Sequence, residues 1–214
     1  MSTDTIEKLL ILGLGWLLGL LGPVIVDGIK RRRENALGQA AIVAELRDVA
    51  HKLALAAHYI HMHRGTVSRP HLEWLKQHIE GHAGLVDVDD LLKSVRTQLS
   101  WSDEELQKYV KATAAASTKG MVLQKYPVPM LDSRVSAMWS FDTEVQRRLL
   151  DVRTRLALLN DLVERSIKQA DMTFGKLDDN NHRLIVENIE QSYELYADGA
   201  KRVVQVVDEL KYLP

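Results

Sequence analysis

Histidine is concentrated in one part of this chain, with seven of its eight copies between residues 51 and 82. Imidazole nitrogens ligate transition metals, and they also exchange protons close to neutral pH. Helical periodicity places these histidines on two helices that a tight turn joins. Because of this clustering, five side chains are candidate metal ligands: His51, His58, His71, His78 and His82.

The turn between the two helices decides which histidines meet. If the chain folds back there, we expect His58 to approach Trp74 and His78, and His51 to approach His82. His78 and His82 are also four residues apart, a spacing that lets two imidazoles on one helix reach a single metal ion.

The sequence gives little further support to the hypothesis of a metal site. The stretch from His78 to His82 reads His-Ile-Glu-Gly-His, which differs from the HExxH motif of metalloproteases. The repeated Glu-x-x-His pairs of di-iron helical bundles are absent, and Asp48 with His51 gives one carboxylate–histidine pair at i, i+3. We therefore expect no cofactor and no stoichiometric zinc, iron or manganese.

Signatures of other catalytic chemistry are also missing. The chain contains no GxxxxGK[ST] phosphate loop and no GxSxG nucleophile motif. It has no cysteine, which excludes thiol catalysis, disulfides and cysteine-based zinc or iron–sulfur sites. The sequence thus predicts a protein that is not an enzyme.

An uncharged apolar stretch near the N-terminus predicts a membrane anchor. Residues 9–26 carry no charge, and as an α-helix continued to Ile29 the stretch is about 30 Å long, the thickness of a bilayer core. A signal peptide would carry its cations before the apolar stretch, and a soluble core helix of this length would have a polar face. We expect residues 1–30 to form a short tail and transmembrane anchor, and residues 31–214 a cytoplasmic helical bundle.

Charge and glycine patterns give the anchor an orientation and a possible contact face. Four consecutive cations follow the apolar stretch, which places the C-terminal body on the cytoplasmic side of the inner (plasma) membrane and the N-terminus outside: Lys30, Arg31, Arg32 and Arg33. Gly15, Gly19 and Gly22 share one helix face, where a second transmembrane helix can approach closely. This pattern predicts a single-pass protein that forms homo-oligomers.

Apolar residues of the body recur at alternating steps of four and three, the rhythm of helices packed along a seam. Three predicted helices carry such a seam. The first seam consists of Ile42, Leu46, Val49, Leu53, Ala56 and Ile60, and the second of Val145, Leu149, Val152, Leu156, Leu159 and Val163. The third consists of Ile185, Ile189, Ser192, Tyr196, Gly199, Val203, Val206 and Leu210. We expect helices over residues 35–63, 70–80, 87–99, 102–119, 132–173 and 181–212, with a crossover loop at 120–131. The last two helices, joined by a short turn, form an antiparallel pair with helix 35–63 as third member. The fold class is all-α.

Composition and layout favour a function based on contacts. The chain has 28 Lys+Arg against 29 Asp+Glu, and five of those cations precede residue 34, so the body is weakly acidic and nucleic acid is not an expected partner. We expect a membrane-tethered assembly or scaffold whose partners are the lipid bilayer and further copies of itself, with another protein as a further candidate. The alternative is an oligomeric membrane-perturbing effector or channel gated by the bundle. A metal-dependent enzyme or sensor built on the histidines ranks third.

Overall fold

The structure, a computed structural model, describes residues 3–82, 89–114, 121–175 and 178–210. Within these ranges there is no strand, and the all-α prediction is confirmed. The α-helices are α1 (Thr3–His63), α2 (Arg69–Glu80), α3 (Asp89–Ser100), α4 (Asp103–Thr113), α5 (Pro129–Arg134), α6 (Thr143–Thr173) and α7 (Asp179–Glu209), with a 3-10 helix at Val135–Ser140. Contacts divide the chain into two units, Met1–Ile42 and Val43–Pro214.

Large apolar side chains of the N-terminal unit are exposed along α1. Eight of them have exposed fractions between 46% and 75%: Ile11, Leu12, Leu14, Trp16, Leu21, Ile25, Val26 and Ile29. Side chains at positions 3–10, 17, 18, 20 and 22–24 lie outside the description, and Gly22 of the predicted glycine face is among them. For the part of the chain that is described, no helix combines the length and the apolar character needed to cross a membrane.

A glycine turn folds α2 back onto α1. Gly65 has φ +67°, a left-handed conformation that costs glycine little, and its N–H donates to the carbonyl of Met62 at 3.2 Å. The N–H of Thr66 donates to the carbonyl of His61 at 2.9 Å, which completes a Schellman end to α1. Pro70 lies in the first turn of α2, where a missing N–H is tolerated. This turn brings the histidines of the two helices side by side.

The two longest helices, α6 and α7, pack together as the predicted hairpin. Leu159 lies against Gly199, while Arg148, nearer the start of α6, pairs with Glu209 near the end of α7, so the helices are antiparallel. All six residues of the α6 seam are buried. Gly199 matters here because an added Cβ would lie 2.6 Å from Cδ2 of Leu159, which fills the space beside it.

The predicted single helix over residues 132–173 is wrong. The chain forms α5 and the 3-10 helix, then becomes extended at Phe141 (φ −88°, ψ 163°) before α6 begins. The side chain of Asp142 caps the new helix by accepting a hydrogen bond from the N–H of Glu144 at 2.8 Å. A polar cap therefore interrupts a stretch whose apolar periodicity alone predicts one helix.

Other predicted bounds shift by smaller amounts. The helix expected over 102–119 begins with the predicted capping box of Ser102 and Glu105 but ends at Thr113, and residues 115–120 lie outside the description. The predicted loop 120–131 is irregular at 121–128, whereas Pro129 already begins α5. Residues 83–88, 176–177 and 211–214, which include the expected start of the 87–99 helix and the expected end of the 181–212 helix, also lie outside the description.

The irregular segment 121–128 is held in place by hydrogen bonds from the long helices. The hydroxyl of Tyr193 accepts from the N–H of Met121 and donates to its carbonyl, both at 2.9 Å, and Tyr196 donates to the carbonyl of Gln124 at 2.8 Å. At the end of the segment, Glu45 of α1 accepts from the first N–H groups of α5 at 2.9 and 3.0 Å. The segment is therefore a fixed crossover between helices of the bundle.

Candidate metal centre

The C-terminal end of α2 presents two histidines to α7. Gly81, the residue after α2, keeps right-handed helical angles (φ −69°, ψ −13°), and its N–H still donates to the carbonyl of Gln77. His82 therefore lies about one turn after His78, with its N–H donating to the carbonyl of Ile79 at 3.0 Å, and the two ring centroids are 4.3 Å apart. Both histidines are buried, with 2% and 5% of their surfaces exposed.

Asp208 of α7 completes a three-residue group with these histidines. Its Oδ2 lies 3.0 Å from Nδ1 of His78, and its Oδ1 lies 3.6 Å from Nε2 of His82. One ligand atom from each of the three residues lies within 4.8 Å of the others. Two imidazoles and one carboxylate at such separations match the donor set of many transition-metal sites.

A backbone hydrogen bond fixes the protonation of the His82 ring. Nδ1 of His82 lies 2.8 Å from the carbonyl oxygen of His78. A carbonyl only accepts hydrogen bonds, so Nδ1 carries the proton. In the neutral ring, Nε2 therefore has a lone pair, and that lone pair lies next to a carboxylate oxygen of Asp208.

A second group of histidines lies nearer the α1–α2 turn. Nδ1 of His58 is 3.1 Å from Nε2 of His71, and the rings are stacked with their centroids 5.4 Å apart. The ring centroid of His61 lies 4.4 Å from that of His71. Burial lowers the pKa of His58 to about 4; burial, and next the charge of Lys201, lowers the pKa of His61 to about 4. Burial, followed by the neighbouring His61 and Lys201, lowers the pKa of His71 to about 2.

The register of α1 against α2 differs from the sequence expectation. His51 stacks on His78 with a centroid distance of 6.0 Å, where His82 was expected, and His58 meets His71, where Trp74 and His78 were expected. Each contact lies about one helical turn nearer the start of α2. Burial, and next the neighbouring His78, lowers the pKa of His51, while Asp48 opposes this shift.

The five nominated histidines thus separate into two sites. His78 and His82 join Asp208, whereas His58 and His71 pair with each other; His51 lies beside the first site through its stack on His78. Asp208 was missed because it lies 130 residues from His78 and no local motif links them. The available signal was its place in α7, directly after the buried Val207 and two residues before Leu210.

An apolar groove of about 370 Å³ lies elsewhere on the bundle, between α1 and the crossover segment. Its lining includes Leu55, Tyr59, Val122 and Tyr196, with Lys52 as the charged group. Tyr59 and Val122 are strongly exposed, at 64% and 84%. Among its described lining residues there is no histidine and no carboxylate, in contrast to the histidine–aspartate group.

No protein-family model, curated protein or solved structure matches this chain. Two features of the chain itself therefore bear on its function: its exposed apolar surfaces and the histidine–aspartate group.

Proposed function

We propose that this chain is a membrane-tethered helical scaffold that presents its bundle at the inner face of the membrane and acts through protein–protein contacts. The observation that carries the proposal is the set of eight exposed apolar side chains on α1 between Ile11 and Ile29. Exposed apolar surface on this scale is typical of membrane or protein contact sites.

The energetics favour a bilayer as the occupant of this surface. Removing one large apolar side chain from water is worth about 1.5–3 kcal/mol, so eight of them provide a large driving force for insertion. Lys30 and Arg31–Arg33 follow directly and are exposed, and each contributes about 1 kcal/mol near anionic headgroups. A span from outside to cytoplasm over residues 9–29 is the finer form of the proposal, and cations on the cytoplasmic flank set that orientation.

We expect the full-length protein to remain in the membrane pellet after carbonate extraction, because a spanning helix is not released as a peripheral protein is. Leu14→Arg should raise the fraction in the supernatant above that of the wild type, since a charged residue within the apolar segment costs about 2.5–3.5 kcal/mol of the insertion free energy. Immunoblots of pellet and supernatant measure the ratio.

Leu37→Arg is the matched control, because Leu37 lies on the same helix and is equally exposed, at 63%, but beyond the basic cluster. This variant should stay in the pellet. If carbonate released the wild-type protein from the membrane pellet, the helix would not span the bilayer. If high salt alone released it, the protein would bind only to the membrane surface. A reporter fused after residue 214 should be accessible only from the cytoplasmic side.

Self-association through the glycine face is the second part of the proposal. Outside its chain neighbours and its own helix backbone, an added Cβ at Gly19 would meet no described atom within 4 Å, so Gly19→Leu disturbs no described contact within the chain. Leucine would still separate two helices packed at this face. We expect Gly19→Leu to lower the oligomer mass in detergent by at least the mass of one chain. Light scattering, corrected for bound detergent, measures this mass.

Gly13→Leu serves as control, because Gly13 also meets no atom within 4 Å but points roughly 120° away from Gly19. Equal oligomer mass in the wild type and both variants would contradict a glycine interface. The same samples in liposomes decide between scaffold and channel: dye release by the wild type that Gly19→Leu abolishes would favour the channel, and assembly without release supports the scaffold.

A further inference from the structure

We propose that His78, His82 and Asp208 form a binding site for a divalent first-row transition metal of the zinc type. The observation is the convergence of two buried imidazoles from the end of α2 with a carboxylate from α7. Ligand atoms around a tetrahedral Zn²⁺ lie roughly 3.3–3.5 Å apart, given metal–ligand distances of about 2.0–2.1 Å. The shortest nitrogen–oxygen distances in the group are 3.0 Å, from Nδ1 of His78 to Oδ2 of Asp208, and 3.6 Å, from Nε2 of His82 to Oδ1 of Asp208.

Hydrogen bonding within the protein accounts for one edge of the group but not for the other. In the metal-free protein, Nδ1–H of His78 donates to Asp208, and coordination through this nitrogen requires the proton to move to Nε2 of the same ring. His82 cannot do the same while neutral, because its proton is on Nδ1, where the carbonyl of His78 accepts it. Nε2 of His82 and Oδ1 of Asp208 are then two electron-rich atoms 3.6 Å apart. A cation between these two atoms would be coordinated by both of them.

The surroundings of His82 suit a metal ligand. The residue is buried, with 5% of its surface exposed, and its Nε2 lies 3.6 Å from the Asp208 carboxylate. Metal coordination uses the neutral ring and retains the Nδ1–H hydrogen bond to a carbonyl, which is the outer contact that metal-binding histidines commonly make. Asp208 supplies one negative charge toward the divalent ion.

The donor set also limits the class of metal. Imidazole nitrogens suit zinc, cobalt, nickel, copper and iron, whereas calcium and magnesium prefer oxygen ligands throughout. Three protein ligands leave a fourth position open, as in catalytic and exchangeable zinc sites. Solvent can reach this position, because the Asp208 side chain is 32% exposed. A bound ion would link α2 to α7 and would stabilise the contact between them.

The test uses the full-length protein in detergent, stripped with EDTA and then titrated with Zn²⁺ or with Co²⁺ as a spectroscopic probe. We expect one Zn²⁺ per chain by elemental analysis after desalting. Co²⁺ should give the intense visible absorption of a four- or five-coordinate site with nitrogen and oxygen ligands. Zn²⁺ should raise the thermal unfolding midpoint by roughly 5–10 °C when free Zn²⁺ is about 100 times the Kd.

Matched variants locate the site. His82→Gln and Asp208→Asn should each weaken Zn²⁺ binding at least 10-fold and remove the visible Co²⁺ bands. His182→Gln and Asp198→Asn, which change exposed residues of α7, should leave both unchanged. Circular dichroism before titration identifies any variant that fails to fold, and the wild-type Co²⁺ spectrum then still decides. Two results would overturn the proposal and leave an ordinary histidine–carboxylate pair. One is substoichiometric Zn²⁺ together with an octahedral Co²⁺ spectrum. The other is metal binding that survives His82→Gln and Asp208→Asn.

Discussion

Leu156→Ala should lower the free energy of unfolding of the bundle by about 2–5 kcal/mol, the range for removing a fully buried leucine side chain from a packed core. Leu156 lies in the middle of the α6 seam with 2% of its surface exposed. Truncation removes three carbons and leaves a cavity that neighbouring helices fill only in part. Urea unfolding of the full-length protein in detergent, followed by circular dichroism, measures the change.

Leu158→Ala is the control for this prediction, because Leu158 lies two residues away on the same helix but is 64% exposed. Its truncation should change the free energy of unfolding by no more than about 0.5 kcal/mol. The pair tests the rotational setting of α6, since both variants make the same chemical change in the same helix. Equal losses for the two variants would mean that α6 does not bury the predicted face.

The seams of the body could be predicted because helical periodicity is a local property of the sequence. All six α6 seam positions are buried, and the α1 seam is buried except at Ala56, which is half-buried. In α7 the prediction is less accurate. Four of its predicted positions are buried, and four are half-buried: Ile185, Ile189, Gly199 and Val206. Ala200 and Val207 are buried outside the predicted seam. Contacts on two sides of α7 widen its buried face beyond one seam.

The break before α6 shows where periodicity fails. Apolar residues continue through Met138 and Phe141, both buried, so the pattern alone predicts an unbroken helix. The deciding residue is Asp142, whose side chain satisfies the N–H of Glu144 and allows a new helix to begin. The capping hydrogen bond of Asp142 and the extended backbone at Phe141 therefore end one helix and begin another, although the apolar periodicity continues.

The histidine–aspartate group shows the limit of sequence reasoning for the site. The histidines could be nominated because they are close along the chain, but the expectation of no metal rested on a missing carboxylate. The carboxylate is Asp208, and only the packing of α7 beside α2 brings it to His78. The cation–π contact of Lys201 with Trp74, at 5.5 Å, lies one to two turns earlier along both helices and belongs to the same packing.

Mild acid should destabilise the bundle through the second histidine group. His58 and His61 have folded-state pKa values of about 4 and His71 of about 2, whereas histidine in an unfolded chain titrates near 6.5. Well above pH 6.5 neither state binds these protons, so the group has no pH-dependent effect there. Below 6.5 the unfolded chain binds protons that the folded chain does not, and stability is lost as pH falls toward about 4.

The magnitude follows from the same linkage. At pH 5, each imidazole that stays neutral in the folded state lowers the free energy of unfolding by about 2 kcal/mol. The effect is smaller for the partly exposed His61. The three histidines together therefore lower the free energy of unfolding by an amount on the order of 4 kcal/mol. Lys201 adds positive charge beside His61 and His71, while Asp198 partly offsets it at His61. Urea unfolding at pH 7 and pH 5, in EDTA to keep metal from the other site, measures the loss.

His71→Gln separates this contribution from that of every other titrating group. The variant removes one proton-binding site from the unfolded chain, so between pH 7 and pH 5 it should lose about 2 kcal/mol less stability than the wild type. His182→Gln should follow the wild type, because His182 is exposed in both states. An unchanged pH dependence in His71→Gln would mean that His71 accepts a proton in the folded bundle as readily as in the unfolded chain. The stacked His58–His71 pair would then have to be open to water, in conflict with its burial and its 3.1 Å contact.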